Sequence, residues 1–174
     1  RSTAKKQFQH LLNAIDELKD TNIIFTKANS DTDGRVINQM IDQYVMNNSN
    51  KATGFTSLGQ LRYLSALKYI DVVVGNSSSG LAEAPSFKIG TINIGDRQKG
   101  RIKAESVIDS EPNSENILNA FNKLYSIEFQ EKLKVSTNPY GDRCASVKII
   151  EKIKKINLEN ILKKSFFDIN IVKG

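Results

Sequence analysis

The chain has 174 residues, 39% of them hydrophobic and 25% charged, and its 25 lysines and arginines against 19 aspartates and glutamates give a formal net charge of +6. That length lets a single domain bury a real core, and its apolar runs, such as Val72-Val73-Val74, are far too short to span a bilayer. The basic excess gathers in the last third, where Lys148, Lys152, Lys154 and Lys155 alternate with Val147, Ile149, Ile150, Ile153 and Ile156. This reads as the wet face of an amphipathic helix, and with no interleaved aromatics, zinc spacing or arginine-rich recognition helix it argues against a nucleic-acid partner.

In chain order, Phe8, Leu11, Leu12, Ile15 and Leu18 recur at three- and four-residue steps, predicting a helix from about Ser2 to Leu18. The basic start leads into this amphipathic pattern rather than an apolar segment, so no signal peptide is expected. Asn22 to Lys27 is β-branched and aromatic, a buried strand ending in the polar loop Asn29-Ser30-Asp31. Val36, Ile37, Met40, Ile41, Tyr44 and Val45 restore helical spacing, with Asp31 or Asp33 available as a cap. Asn47 to Gly54 reads as a polar link, followed by a helix through Leu58, Leu61, Leu64, Leu67 and Ile70 that Ser57 could cap.

Val72 to Gly75 is apolar on both faces, as a central strand of a helix-covered parallel sheet must be. A short helix from Leu81 to Phe87, strands at Thr91 to Gly95 and Val107-Ile108, and a helix from Ser114 to about Tyr125 follow. Two helices, roughly Cys144 to Ile156 and Leu158 to Phe166, close the chain. Strands alternating with helices indicate an α/β class: one domain over residues 1–174, a three-layer Rossmann-like parallel sheet with helices on both faces.

In such sheets ligands lie outside the carboxyl ends of the strands. Three segments emerge there: Asn29 to Arg35, Asn76 to Gly80 and Gly95 to Arg101. Gly75-Asn76-Ser77-Ser78-Ser79-Gly80 combines small residues, hydroxyls and a following helix start, the properties of a phosphate site, although any strand-to-helix turn capped by serine would look alike. Glu83 stands six positions beyond Ser77, about 9 Å if the segment is helical, a span that suits a carboxylate accepting the ribose hydroxyls of a nucleotide whose diphosphate sits on the serines. Gly95-Asp96-Arg97-Gln98-Lys99-Gly100-Arg101 brings three cations to the same edge, to neutralise phosphate or simply to form a solvated turn. Arg35 opens its helix against the dipole, which suggests another task. His10, the sole histidine, lies on the first helix as a surface residue. Cys144, the sole cysteine, can form no intrachain disulfide, which favours a reducing, cytoplasmic setting. No metal site or cofactor motif is present, and none is expected.

Read continuously, Val74-Gly75-Asn76-Ser77-Ser78-Ser79-Gly80-Leu81-Ala82-Glu83-Ala84-Pro85 and Asn93-Ile94-Gly95-Asp96-Arg97-Gln98-Lys99-Gly100-Arg101 resemble the hydrolysing UDP-N-acetylglucosamine 2-epimerases of sialic acid biosynthesis. Asn138-Pro139-Tyr140-Gly141-Asp142 and Phe25 to Asp31 are similar to further motifs of that family, with Arg143 a departure where glycine is usual. The resemblance implies the C-terminal half of a glycosyltransferase-B type fold, its N-terminal catalytic half lying elsewhere, and a homodimer. It implies a UDP-sugar substrate, with Asn29 and Arg35 lining the nucleotide pocket, Ser57 near the base, Ser77 and Ser78 on the diphosphate, Glu83 on the ribose and Arg97 beside the phosphates. No catalytic acid or base falls within this chain, so by itself it is expected to be inactive. The competing expectations are a glycosyltransferase-B type transferase domain, against which the Arg97 to Arg101 stretch speaks, and a stand-alone nucleotide-binding module.

Overall fold

The computed structural model describes residues 2–28, 32–141, 144–159 and 162. The chain divides into two compact units, Arg1–Tyr140 and Gly141–Gly174.

In the first unit, α1 (Ser2–Asp16) precedes β1 (Ile23–Thr26), α2 (Thr32–Asn47), β2 (Ala52–Phe55) and α3 (Gly59–Ala66). Next come β3 (Val72–Gly75), the single-turn α4 (Ser79–Ala82), a 3-10 turn (Ala84–Phe87), β4 (Gly90–Ile94), β5 (Val107–Ser110), α5 (Ser114–Leu124) and α6 (Ile127–Val135). Among the described residues all strand pairing is parallel, in two ladders: β1 with β2, and β3-β4-β5 with β4 in the middle. The α/β class with parallel strands and covering helices is as expected. The centre of the sheet is not. β4, rather than Val72 to Gly75, is the most buried strand, with Gly90, Thr91, Ile92 and Asn93 all inside and β3 half-buried at the edge of its ladder.

α1 holds the two ladders in one body by dividing its apolar residues. Leu12 and Ile15 join Phe25, Ile41, Tyr44 and Ala52 around β1 and β2, while Ala14 joins Ile92, Ile108, Ile117, Phe121 and Leu124 around β4 and β5. Burial of residues of this size contributes about 1.5–3 kcal/mol each before ordering costs, so the long stripe of α1 outweighs its lack of charged caps at either end.

Two elements have no counterpart among those expected. The supposed link from Asn47 to Gly54 contains β2: only Ala52 is buried there, and its strand conformation comes from pairing with β1, where Ile23 donates its N–H to Lys51 O at 2.8 Å and Lys27 to Phe55 O at 2.9 Å. α6 was not anticipated; it buries only Phe129 and Leu133, and Ser126 caps it by accepting the Phe129 N–H at 3.3 Å. Among the expected caps, Asp33 falls inside the first turn of α2 instead of before it, and Asp31 lies outside the described residues.

In the second unit α7 (Ala145–Lys155) forms as expected, with Cys144 at its N-cap. Its apolar residues Val147, Ile149, Ile150 and Ile153 are exposed along with its lysines. The helix expected over Leu158 to Phe166 lies for the greater part outside the described residues. No helix among the described residues is long and apolar enough to cross a membrane.

Candidate functional site: the carboxyl edge of the parallel strands

The serine loop leaves β3 at Gly75. Ser77 and Ser78 are both exposed. Ser77 Oγ accepts the Ser79 N–H at 3.3 Å, which leaves its own proton to donate to a ligand oxygen. Ser78 occupies the N-cap of α4 through its backbone, its carbonyl taking the N–H of Leu81 at 3.0 Å and of Ala82 at 2.9 Å, with no side-chain capping bond. Its hydroxyl is therefore not spent on the helix.

The structure corrects both the helix expected from Leu81 to Phe87 and the helical span assumed from Ser77 to Glu83. α4 is one turn long and ends at Glu83, because Pro85 has no N–H for the Leu81 carbonyl and turns the chain into the 3-10 geometry that follows. Glu83 thus sits at a break, half-buried, its N–H still bonded to Ser79 O at 2.9 Å and its carbonyl accepting the Ser86 N–H at 3.0 Å. One turn of helix also supplies little dipole, so an anion at this edge would meet mainly the hydroxyls and the nearby cations.

Three side chains that sequence reading passed over fix this loop. Gln98, only 3% exposed, donates its Nε2 to the Asn76 carbonyl at 2.7 Å, tying the segment after β4 to the segment after β3. Tyr63 on α3 hydrogen-bonds through its hydroxyl to the Ser79 hydroxyl. Burial raises the Tyr63 phenol above its ordinary pKa, and the neighbouring charge of Glu83 pushes the same way against the bond to Ser79. Thr91 on β4 donates its hydroxyl to Gly80 O at 2.8 Å. A Cβ on Gly80 would stand 2.6 Å from Thr91 Cγ2, so only glycine fits there.

The arginine loop is built differently. Gly95 and Gly100 have φ of 77° and 80°, a left-handed conformation natural to glycine. Within the loop Lys99 N–H bonds to Asp96 O at 2.8 Å, and Arg101 N–H, just past Gly100, to Gln98 O at 3.2 Å. Gln98 turns inward, and Arg97, Lys99 and Arg101 remain exposed.

At the other ladder, Ser57 is exposed and accepts the Gly59 N–H at 3.1 Å; the N-cap of α3 is Leu58, so Ser57 stabilises the helix start from one residue further out than expected. Arg35 is exposed near the start of α2. Asn29 lies outside the described residues; the chain leading to it is held by Asn38, whose Oδ1 accepts the Ala28 N–H at 2.8 Å and whose Nδ2 donates to Ala28 O at 3.0 Å. The structure therefore joins the serine and arginine loops directly and brings Glu83 to them through α4. Among the described residues no hydrogen bond joins Arg35 or Ser57 to either loop.

Comparison with known proteins finds relatives along most of the chain. The chain is 46% identical over 166 residues to the GDP/UDP-N,N'-diacetylbacillosamine 2-epimerase (hydrolyzing) of Campylobacter jejuni, covering 95% of this chain and 43% of that protein. It is 33% identical over 156 residues to the UDP-N,N'-diacetylbacillosamine 2-epimerase (hydrolyzing) of Legionella pneumophila, covering 90% and 40% respectively. The crystal structure of UDP-GlcNAc 2-epimerase from Neisseria meningitidis bound to UDP-GlcNAc superposes with a TM-score of 0.72 at 17% identity, over 90% of this chain and 42% of that one, which establishes the shared fold. The chain thus spans about two fifths of the length of the relatives it matches. With the UDP-N-acetylglucosamine 2-epimerase model matching residues 1–154, the chain belongs to that family.

Proposed function

We propose that this chain is the UDP-holding part of a hydrolysing UDP-N-acetylglucosamine 2-epimerase acting in sialic acid or related capsule polysaccharide biosynthesis. The observation that carries the reading is the bond from Gln98 to Asn76, which presents the serine hydroxyls and the arginine loop at one strand edge. In this reading Ser77 and Ser78 donate to the diphosphate, Arg97 neutralises it, Glu83 accepts the ribose hydroxyls, Ser57 lies near the base, and Asn29 and Arg35 line the nucleotide pocket. UDP leaves C1 as a proton leaves C2, water then adds to the glycal, and N-acetylmannosamine and UDP are released. The charge that develops on the departing diphosphate is what this chain would stabilise, with the proton-transferring groups supplied by the part of the enzyme that corresponds to the rest of the relatives' length. A cytoplasmic setting, which rests on the single cysteine Cys144, and a homodimer, which rests on the family resemblance, belong to the same reading.

Calorimetry with UDP on the full-length enzyme tests it. Arg97→Ala should weaken binding by about 1.5–3 kcal/mol, the usual worth of a hydrogen bond to a charged group, while Lys152→Ala on α7 leaves it unchanged. Equal effects at both positions would refute a special role for the loop. Turnover of UDP-N-acetylglucosamine by residues 1–174 alone would refute the assignment of the proton-transferring groups to another part of the enzyme. A second sugar is favoured by the two relatives named for N,N'-diacetylbacillosamine; parallel assays with both UDP-sugars decide between them, and the UDP contacts assigned here serve either.

A further inference from the structure

Asn138 and Tyr140 have so far no role, although they stand far along the chain from the residues they touch. Asn138 Nδ2 donates to Ala82 O at 2.8 Å and to Ser86 Oγ at 2.7 Å, while its Oδ1 accepts the Tyr140 N–H at 2.9 Å. The Tyr140 hydroxyl donates to Ile102 O at 2.9 Å, just past the arginine loop. Asn138 therefore grips both sides of Glu83. The need for such a grip comes from Pro85: in a continued α-helix the Ala82 carbonyl would take the Ser86 N–H, but that N–H has turned to Glu83 O at 3.0 Å. The Ala82 carbonyl is left over at a turn whose neighbours Ala84 and Pro85 are buried, and an amide from another part of the chain satisfies it.

We propose that Asn138 is a positioning residue for Glu83, setting the direction of that carboxylate by holding the broken helix on either side of it. Pro139 restricts the backbone between the two polar residues, and the Tyr140 N–H fixes which way the Asn138 amide faces, so that both donors point at the break. Tyr140 anchors the other end of the segment beside the outflow of the arginine loop. The ribose role of Glu83 comes from the proposed function, and this inference rests on it for its ligand-dependent half only.

The test uses the full chain with UDP and with inorganic pyrophosphate, which lacks a ribose. Asn138→Ala should weaken UDP binding roughly tenfold, the equivalent of about 1.4 kcal/mol, and leave pyrophosphate binding nearly unchanged. In a Glu83→Gln background the same substitution should have no further effect on UDP. Equal weakening of both ligands, additivity with Glu83→Gln, or unaltered UDP binding would each overturn the proposal. If Asn138→Ala does not fold, Asn138→Ser, which keeps a hydroxyl donor, takes its place under the same criteria. Should Glu83→Gln by itself leave UDP binding intact, the ribose assignment fails. The positioning role is then judged on ligand-free protein by amide hydrogen exchange at Glu83 and Ser86, which Asn138→Ala should accelerate relative to α5; unchanged exchange there overturns it.

Discussion

The serine loop and the arginine loop leave neighbouring strands of one ladder, yet they are held by opposite means. The serine loop is fixed by side chains reaching in from Tyr63, Thr91 and Gln98, so its hydroxyls sit on a rigid base. The arginine loop depends on two left-handed glycines and its own turn bonds, with one buried side chain and an exposed cationic rim. Neutral donors need accurate placement because a hydrogen bond weakens steeply with angle. A guanidinium or ammonium interacts over a longer range and tolerates movement. The site thus pairs a fixed donor surface with adjustable charge.

Glycine substitutions should break this contrast most visibly. Gly80→Ala drives a methyl group against Thr91 and should destabilise the protein by about 1–3 kcal/mol, the usual cost of overfilling a packed site. Gly95→Ala meets nothing within 4 Å and should cost only the left-handed penalty of roughly 1–2 kcal/mol. Thermal unfolding of both variants checks the order; a larger loss at Gly95 would mean that the arginine loop is the rigid one. Tyr63→Phe comes next. It removes one hydroxyl from the serine loop and should reduce UDP affinity by about 0.5–1.5 kcal/mol, with little change in melting temperature, as read by paired calorimetry and unfolding.

The smallest effect is expected at Asp109 on β5, which binds Lys103 at 2.7 Å and accepts from Asn93 Nδ2 at 2.7 Å. Burial pushes this carboxyl up, but the bonds from Lys103 and Asn93 outweigh it and hold the group below the usual carboxylate range. A lowered folded-state pKa stabilises the protein above the unfolded value, and that contribution disappears as pH falls through the folded one. Because the side chain is 57% exposed, Asp109→Asn should cost no more than about 1 kcal/mol at neutral pH. The gap to wild type should close in acid; a gap that persists there would show that packing, not charge, is involved.

The elements that announce themselves in sequence are those whose apolar residues decide their own conformation: the stripe of α1, the valines of β3 and the spaced apolar residues of α5. β2 stays hidden because Thr53 and Gly54 give it no pattern, and only the partner strand makes it a strand. α6 stays hidden because two buried residues, Phe129 and Leu133, are too few to set a period; the Ser126 cap was the available signal. The same division runs through the site. The small and charged residues of both loops stand out locally, whereas Tyr63, Gln98 and Asn138 act on residues 16, 22 and 56 positions away, and no local pattern marks such bonds. Pro85 is the one local signal that could have shown the break at Glu83, since proline cannot continue the helix that the spacing suggested.

The ion pair between Lys103 and Asp109 has a meaning apart from stability. β5 is the outer strand of its ladder among the described residues, and an outer strand with unpaired backbone groups is a template on which a second molecule can add its own. A carboxylate in the middle of that short strand, held by a lysine from the preceding loop, would have to be stripped of water by any incoming strand. Charge placed along an outer strand opposes edge-to-edge pairing in general, a kind of protection that a melting curve does not register.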